Sequence, residues 1–262
     1  MLYEPIEIEV SAKYLEKVFR EIKGDVCLIG GWATYHIVGR NFEEINGRKY
    51  IGSRDIDIGF HIDEGWSEEQ LKKSEFSTTL GLIEDMGFRS VSFRLVKDFD
   101  SETGRELTAE ESAKLPLFQI FQLYVDPVVD YIHPKIKDVL GFVPIDEPLL
   151  SLVFANGLCT IAKLFGVSVL LPQPHVLLAM KLNSVINREK EHKRIKDIAD
   201  IYALLWFSDV KITELKANLL SIYPEEKARE TVRSFGPEEI ARVSTAVGMT
   251  AREISRVLAE LR

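Results

Sequence analysis

Gly30-Gly31-Trp32-Ala33, and further on Gly52-Ser53-Arg54-Asp55-Ile56-Asp57-Ile58, are the two stretches on which the reading of this 262-residue chain turns. The glycine pair closes an apolar run, Val26 to Ile29, and opens a segment with helical character. The second stretch sets two carboxylates at i and i+2 among β-branched residues. Alternate side chains of a strand point to the same face, so Asp55 and Asp57 project together while Ile56 and Ile58 face a core. Two carboxylates on one face repel unless a cation lies between them. Oxygen-only ligands suit Mg2+ or Mn2+, and magnesium is commonly shared between carboxylates and substrate phosphates. The glycine turn adds a place where backbone can approach phosphate closely, with helix N–H groups to bind it.

The composition permits this and narrows the alternatives. At this length one core begins to split into two, a threshold of roughly 250–300 residues. Hydrophobic residues make up 46% of the chain and mean hydropathy is near zero, as in ordinary globular proteins. A net charge of -8 argues against coating nucleic acid by bulk electrostatics, though a local basic groove remains compatible. Cys27 and Cys159 both sit in apolar runs and read as small buried hydrophobes, not a disulfide or a metal site. Met1 to Val10 is acidic and too poor in apolar residues for a signal peptide. No apolar run approaches the ~20 residues of a membrane span. The expected setting is a reducing cytoplasm, without a membrane partner.

Along the chain, Ser11 to Lys23 carries apolar residues at helical spacing, with Ser11 as a candidate cap. Asp25 to Ile29 reads as a short buried strand and Trp32 to about Val38 as a helix. Gly39 to Lys49 reads as a loop before a strand over Ser53 to His61. Ser67 to Met86 is one or two helices, and Phe88 to Val96 alternates as a strand. A second alternating run, Leu117 to Ile132, is interrupted by Pro127, which predicts an edge strand or two strands joined by a bend. Leu149 to Leu171 stays open between a hairpin turning at Asn156-Gly157 and a helix. From Gln173 onward His175–Asn187, Lys193–Phe207, Ile212–Tyr223, Pro224–Phe235 and Pro237–Leu261 all have helical periodicity. Thr250 and Glu253 have capping-box spacing. The expected organisation is an α+β domain over residues 1–172 and a helical domain over 173–262.

Phosphoryl or nucleotidyl transfer needs metals that bridge attacking oxygen, phosphate and leaving group, and cations on the phosphates. Two metals require a third carboxylate, from a strand beside Asp55 and Asp57. Asp130, flanked by Val129 and Tyr131, is the first candidate and Asp126 the second, with Pro127 between them leaving the face open. The glycine pair is neither a Walker A loop nor a GxGxxG fingerprint.

Gly30-Gly31, Asp55-Ile56-Asp57 and a later aspartate resemble the signature of the DNA polymerase β-like nucleotidyltransferase superfamily: a strand, Gly-Gly or Gly-Ser, a helix, then an Asp-x-Asp strand. Pro174-His175-Val176-Leu177-Leu178-Ala179-Met180-Lys181-Leu182, with Arg188 and Lys196-Asp197-Ile198-Ala199-Asp200-Ile201, is similar to the helical part of the AbiEii-like and related small nucleotidyltransferases. The resemblance spans about Val26 to Phe207. The Gly31-to-Asp55 gap exceeds that of minimal members, so residues 39–52 read as an insertion near the expected site. The resemblance implies a polymerase β-like core of mixed sheet and helices, followed by helices. It implies that Asp55, Asp57 and Asp130 hold two Mg2+ or Mn2+ ions. These would align an acceptor hydroxyl with the α-phosphate of a nucleoside triphosphate, releasing pyrophosphate. Ser53 belongs to the nucleotide-binding set with Gly30 and Gly31. Lys181 is the first candidate cation on the triphosphate, and Arg54, Arg188 and Lys196 are secondary ones.

Between Lys181 and Lys196 six basic residues stand against Glu189 and Glu191, a local excess in an acidic chain. A solvated interhelical loop is the plain alternative. Asp197 and Asp200 read as partners of these bases. The acceptor is not written in the chain; it could be RNA, such as a tRNA end, a protein or a small molecule. Two other classes compete. A sugar-nucleotide glycosyltransferase also uses Asp-x-Asp, but places it after a larger nucleotide-binding half. A non-catalytic nucleotide-binding or toxin-like protein of the same fold would lack the third carboxylate.

Overall fold

The computed structural model describes residues 2–262 and divides them into two compact units. Residues 3–29 and 53–171 form a unit around a sheet; residues 30–52 and 172–262 form a helical unit. In chain order the first elements are α1 (Pro5–Glu21), β1 (Cys27–Ile29), α2 (Gly30–Asn46) and β2 (Ile56–Phe60). Next come α3 (Glu68–Lys72), α4 (Glu75–Asp85), β3 (Arg89–Val91), β4 (Arg94–Asp100), α5 (Ala109–Ser112) and β5 (Ile120–Val129). Then follow α6 (Ile136–Leu140), β6 (Ile145–Asp146), α7 (Leu150–Phe154), β7 (Cys159–Leu164) and β8 (Val167–Pro172). The remainder is α8 (Pro174–Ile186), α9 (Glu191–Phe207), α10 (Ile212–Ile222), α11 (Glu225–Arg233), α12 (Pro237–Val247) and α13 (Ala251–Leu258). The chain is thus α+β, a mixed sheet with helices followed by a helical C-terminal part.

The sheet order is β3-β4-β5-β2-β1-β8-β7, with β6 on β5. β1 pairs antiparallel with β2 and parallel with β8, while β2 pairs parallel with β5. Ile56, Ile58, Leu123 and Val125 are fully buried on these central strands. Pro127 does not make β5 an edge: the strand runs unbroken between β2 and its partners on the other side. Pro127 is tolerated because it falls past the β4 register, which reaches Val125, and before the β6 register, which begins at Val128. Its missing N–H therefore costs no ladder bond on that side.

Several boundaries differ from the sequence expectations for identifiable reasons. α1 begins at Pro5, where Glu4 and Glu7 form a reciprocal capping box, and Ser11 is buried inside the helix. α2 does not stop near Val38 but continues to Asn46, so most of the expected 39–52 insertion is helix. Thr34, Val38 and Phe42 are buried at i, i+4 spacing, and the Phe42 ring stands edge-on to Tyr50 and Phe207. That burial outweighs a mid-helix glycine, which costs about 1 kcal/mol relative to alanine; around Gly39 there is open space for a side chain. Leu149 to Leu171 contains both expected alternatives, α7 and then the neighbouring strands β7 and β8. The turn between those strands is at Phe165-Gly166, both with positive φ, instead of Asn156-Gly157.

In the helical unit α8 and α9 are buried almost all round; Ile195 to Leu205 is a continuous buried run. α2, α12 and α13 pack on α9, and α10 packs on α8. Gly248, in the left-handed region, ends α12, and the Thr250–Glu253 capping box starts α13. No helix of the described residues is long and apolar enough to cross a membrane.

Gly59 marks a close approach in the sheet unit. A Cβ there would meet Leu150 Cδ2 at 2.7 Å, so β2 lies against α7 without room for a methyl group. Gly59→Ala is expected to destabilise the protein by about 1–3 kcal/mol. Urea unfolding checks this; an unchanged midpoint and slope would show that the two elements are not so tightly packed.

Candidate active site

The parallel pairing of β2 with β5 brings Asp57 opposite Asp126, one strand spacing of ~4.8 Å away. Asp55 stands in the bend just before β2, close enough to Asp126 to act on its carboxyl, and Ile56 and Ile58 between and beyond the two acids are wholly buried. Asp55 and Asp57 are half-buried, and Asp126 is buried. β1 supports the same strand from its other side, with Ile29 paired to Asp57. The chain leaves β1 directly into Gly30, whose φ of 67° makes a turn that a side chain would strain. Gly31 is buried in the first turn of α2, and Thr34 Oγ1 donates to Gly30 O at 3.2 Å.

Asp130, the first candidate for third carboxylate, stands elsewhere. It lies four residues beyond Asp126, ~13 Å along an extended chain. Its Oδ1 accepts from Ile62 N at 2.8 Å, and its Oδ2 lies 2.5 Å from His61 Nδ1. Asp130 thus ties down the chain leaving β2. The register, which sequence parity cannot supply, places the second candidate, Asp126, beside the pair.

A fourth group completes this face. Antiparallel pairing of β4 with β5 sets Arg94 next to Asp126. The guanidinium donates through two nitrogens to the two carboxylate oxygens, Nε to Oδ1 at 2.9 Å and Nη2 to Oδ2. It also lies over the Tyr124 ring, 4.1 Å from its centroid, and 5.3 Å from that of Phe93. Burial pushes the Asp126 carboxyl up to about 7, with Asp57 and Asp55 adding to the shift against the pull of Arg94. Burial works against the Arg94 charge, but Asp126, Asp55 and Asp57 together hold its pKa above the ordinary value. All four groups therefore feel one another. Sequence reading missed Arg94; its one signal was a cation next to the exposed Phe93 at the start of an alternating run.

Asp55 and Asp57 supply the hard oxygen donors that a magnesium-like ion takes. Asp126 has both oxygens on Arg94, and among the described residues no three His, Cys, Asp or Glu side chains are grouped to hold a metal. The donor set fits one ion on the Asp-x-Asp pair; it does not fit two ions sharing all three aspartates.

The expected phosphate cations have partners within their own units. Arg54 shares parity with Ile56, pairs with Glu7 at 3.0 Å and stacks on Phe121. Ser53 is buried just before β2. In the helical unit Lys181 Nζ lies 2.6 Å from Asp197 Oδ1 and 2.7 Å from Asp200 Oδ2. Arg188 Nε donates to Asp197 Oδ2 at 2.6 Å, and Lys196 Nζ donates to Asp200 Oδ1 at 2.5 Å. Lys181, Lys196, Asp197 and Asp200 are all buried. Burial alone would lower the Lys181 ammonium, but Asp197 and Asp200 hold it above its usual value. At Lys196 burial prevails, helped by Lys181, and the pKa falls despite Asp200. Burial opposes the Asp197 charge, yet Lys181 and Arg188 bring that carboxyl down to about 2. Arg194 pairs with Glu239 at 2.5 Å. The local basic excess of the sequence is thus largely matched by acids from the same unit.

No family model matches the chain, and no curated protein does. Among solved structures it is similar to an antigenic nucleotidyltransferase-like protein from Paracoccidioides brasiliensis. The identity is 18%, over 84% of this chain and 89% of that one, with a TM-score of 0.40. A likeness at that level transfers no residue roles.

The buried ion pairs of α8 and α9 carry a stability expectation. Lys181→Met strips Asp197 and Asp200 of a shared cation in a dry interior and should cost about 3–5 kcal/mol. Arg40→Ala, which breaks the exposed pair with Asp209, should cost under ~1 kcal/mol. Urea unfolding of both variants checks the contrast; equal costs would show that the Lys181 cluster is not a dry, coupled unit.

Proposed function

We propose that the chain is a nucleotidyltransferase, which moves a nucleoside monophosphate from a nucleoside triphosphate to a hydroxyl and releases pyrophosphate. One observation carries this reading. A strand ends in Gly30-Gly31 and a helix, Asp55 leads into the next strand, which bears Asp57, and a parallel neighbour sets a third aspartate, Asp126, beside Asp57. That order and register are what the resemblance to polymerase β-like enzymes calls for. A glycosyltransferase has no need of a third carboxylate in this register.

Asp55 and Asp57 are the residues that would hold Mg2+ or Mn2+, and such an ion supplies Lewis-acid polarisation of phosphate oxygens when bound. The half-buried pair orients what binds there, and the wholly buried Ile56 and Ile58 behind it keep the strand from shifting. Gly30 and Gly31 present backbone N–H groups at the start of a 17-residue helix, where phosphate oxygens are favoured. Arg94 opposes the rise of the Asp126 carboxyl and fixes its orientation. The acceptor class, RNA, protein or small molecule, is what the labelling experiment identifies.

The test is incubation with each α-labelled nucleoside triphosphate, Mg2+ or Mn2+, and cell extract, followed by identification of the labelled molecule. Label should appear on one acceptor class with pyrophosphate release. It should vanish with chelator, and fall at least ~100-fold in Asp57→Asn, more than loss of a supporting residue costs. Activity surviving Asp57→Asn would overturn the assignment. Triphosphate binding without any transfer would instead favour a non-catalytic nucleotide-binding protein.

A further inference from the structure

Resting on that reading, we infer that Arg94 is a built-in second cation of the carboxylate cluster, so that the site takes one divalent ion instead of two. The guanidinium occupies both oxygens of Asp126, the carboxylate a second ion would need. It is held there from three directions. Its two-point contact with Asp126 fixes orientation, Tyr124 lies against its face at 4.1 Å, and Phe93 lies 5.3 Å away. Its side chain is only 17% exposed, so leaving Asp126 would mean breaking a largely dry pair without water to replace it. A guanidinium cannot shed its proton, so the charge is permanent.

Charge count agrees with geometry. With all three carboxylates ionised, one guanidinium leaves two negative charges on this face, and one divalent ion balances them. A second ion would have to displace Arg94 and then share the face with a stranded cation close enough to Asp55 and Asp57 to be stabilised by both. Asp55, in the bend before β2, and Asp57, on that strand, supply a pair of donors without help from β5.

Counting bound Mn2+ by electron paramagnetic resonance, on the full chain with and without a nonhydrolysable nucleoside triphosphate, tests this. The wild-type chain should bind one Mn2+, and Asp57→Asn should lose it. Asp126→Asn should still bind one, but more weakly, because Arg94 then faces Asp55 and Asp57 without its own partner. Arg94→Met should bind two, since the third carboxylate is then available. The double variant Arg94→Met/Asp126→Asn removes both members of the pair and should return to one; it serves if Arg94→Met alone does not fold. Two ions in the wild-type chain, or loss of Mn2+ in the double variant, would overturn the inference while leaving the proposed function standing. One ion in a folded Arg94→Met would overturn it as well. No Mn2+ binding at all, with or without triphosphate, would remove the proposed function itself.

Discussion

Parallel pairing of β2 with β5 sets like charges side by side, and much of the sheet unit can be read as the means of sustaining that. Asp57 and Asp126 are register partners, Asp55 stands two residues away, and folding alone gives no reason to gather them. The backbone ladder enforces the arrangement, because slipping β5 by one residue would turn its buried Leu123 and Val125 outward. The strands that carry the acids are central and their opposite face is packed. Part of the electrostatic cost is relieved by Arg94, which the β4 hairpin delivers to the same row. The rest falls on Asp126, whose carboxyl is pushed up to about 7 by burial and by Asp57. A cluster kept under such repulsion, at half-buried positions, has the character of a binding site more than of a structural ion network.

The helical unit solves a similar problem differently. Lys181, Lys196, Asp197 and Asp200 are all buried, yet each acid faces a base within 2.5 to 2.7 Å. Here the charges are matched in number and no further cation is called for. The cluster links α8 to α9, two helices whose apolar surfaces would otherwise permit sliding. Its cost is desolvation, and what it contributes is register between two nearly featureless hydrophobic cylinders. The contrast between the two units is informative: one acidic group is neutralised from within, the other only in part.

Much of this was legible in the sequence. The strand–Gly-Gly–helix–Asp-x-Asp order, the α+β class, the change to helices after Gln173 and the Thr250 cap all follow from periodicity and local residue chemistry. What escaped was set by tertiary contacts. Asp126 and Asp130 have the same parity, so only the pairing of Val125 with both Leu95 and Ile56 could decide between them. The length of α2 depends on Phe42 reaching Phe207, far away in the chain. Arg94 carried no motif; it matters because two strands bring it to Asp126. The lysine helix was readable as special, since Lys181 interrupts an apolar stretch, but its partners are fixed by how α8 and α9 cross.

The hairpin that delivers Arg94 is a two-residue loop, Ser92-Phe93, closing directly on the Val91–Arg94 pair. Ser92 takes a φ of 58°, the positive value that the first loop position of a type II′ turn requires. The β4–β5 register on the other side of the strand holds Arg94 beside Asp126. A residue inserted between Ser92 and Phe93 would be taken up by β3, a three-residue exposed edge strand that pairs with β4 alone. The turn closes the hairpin, while the inner ladder keeps the charge balance of the site. The outer end of the sheet is thus free to vary in length without disturbing the row of acids.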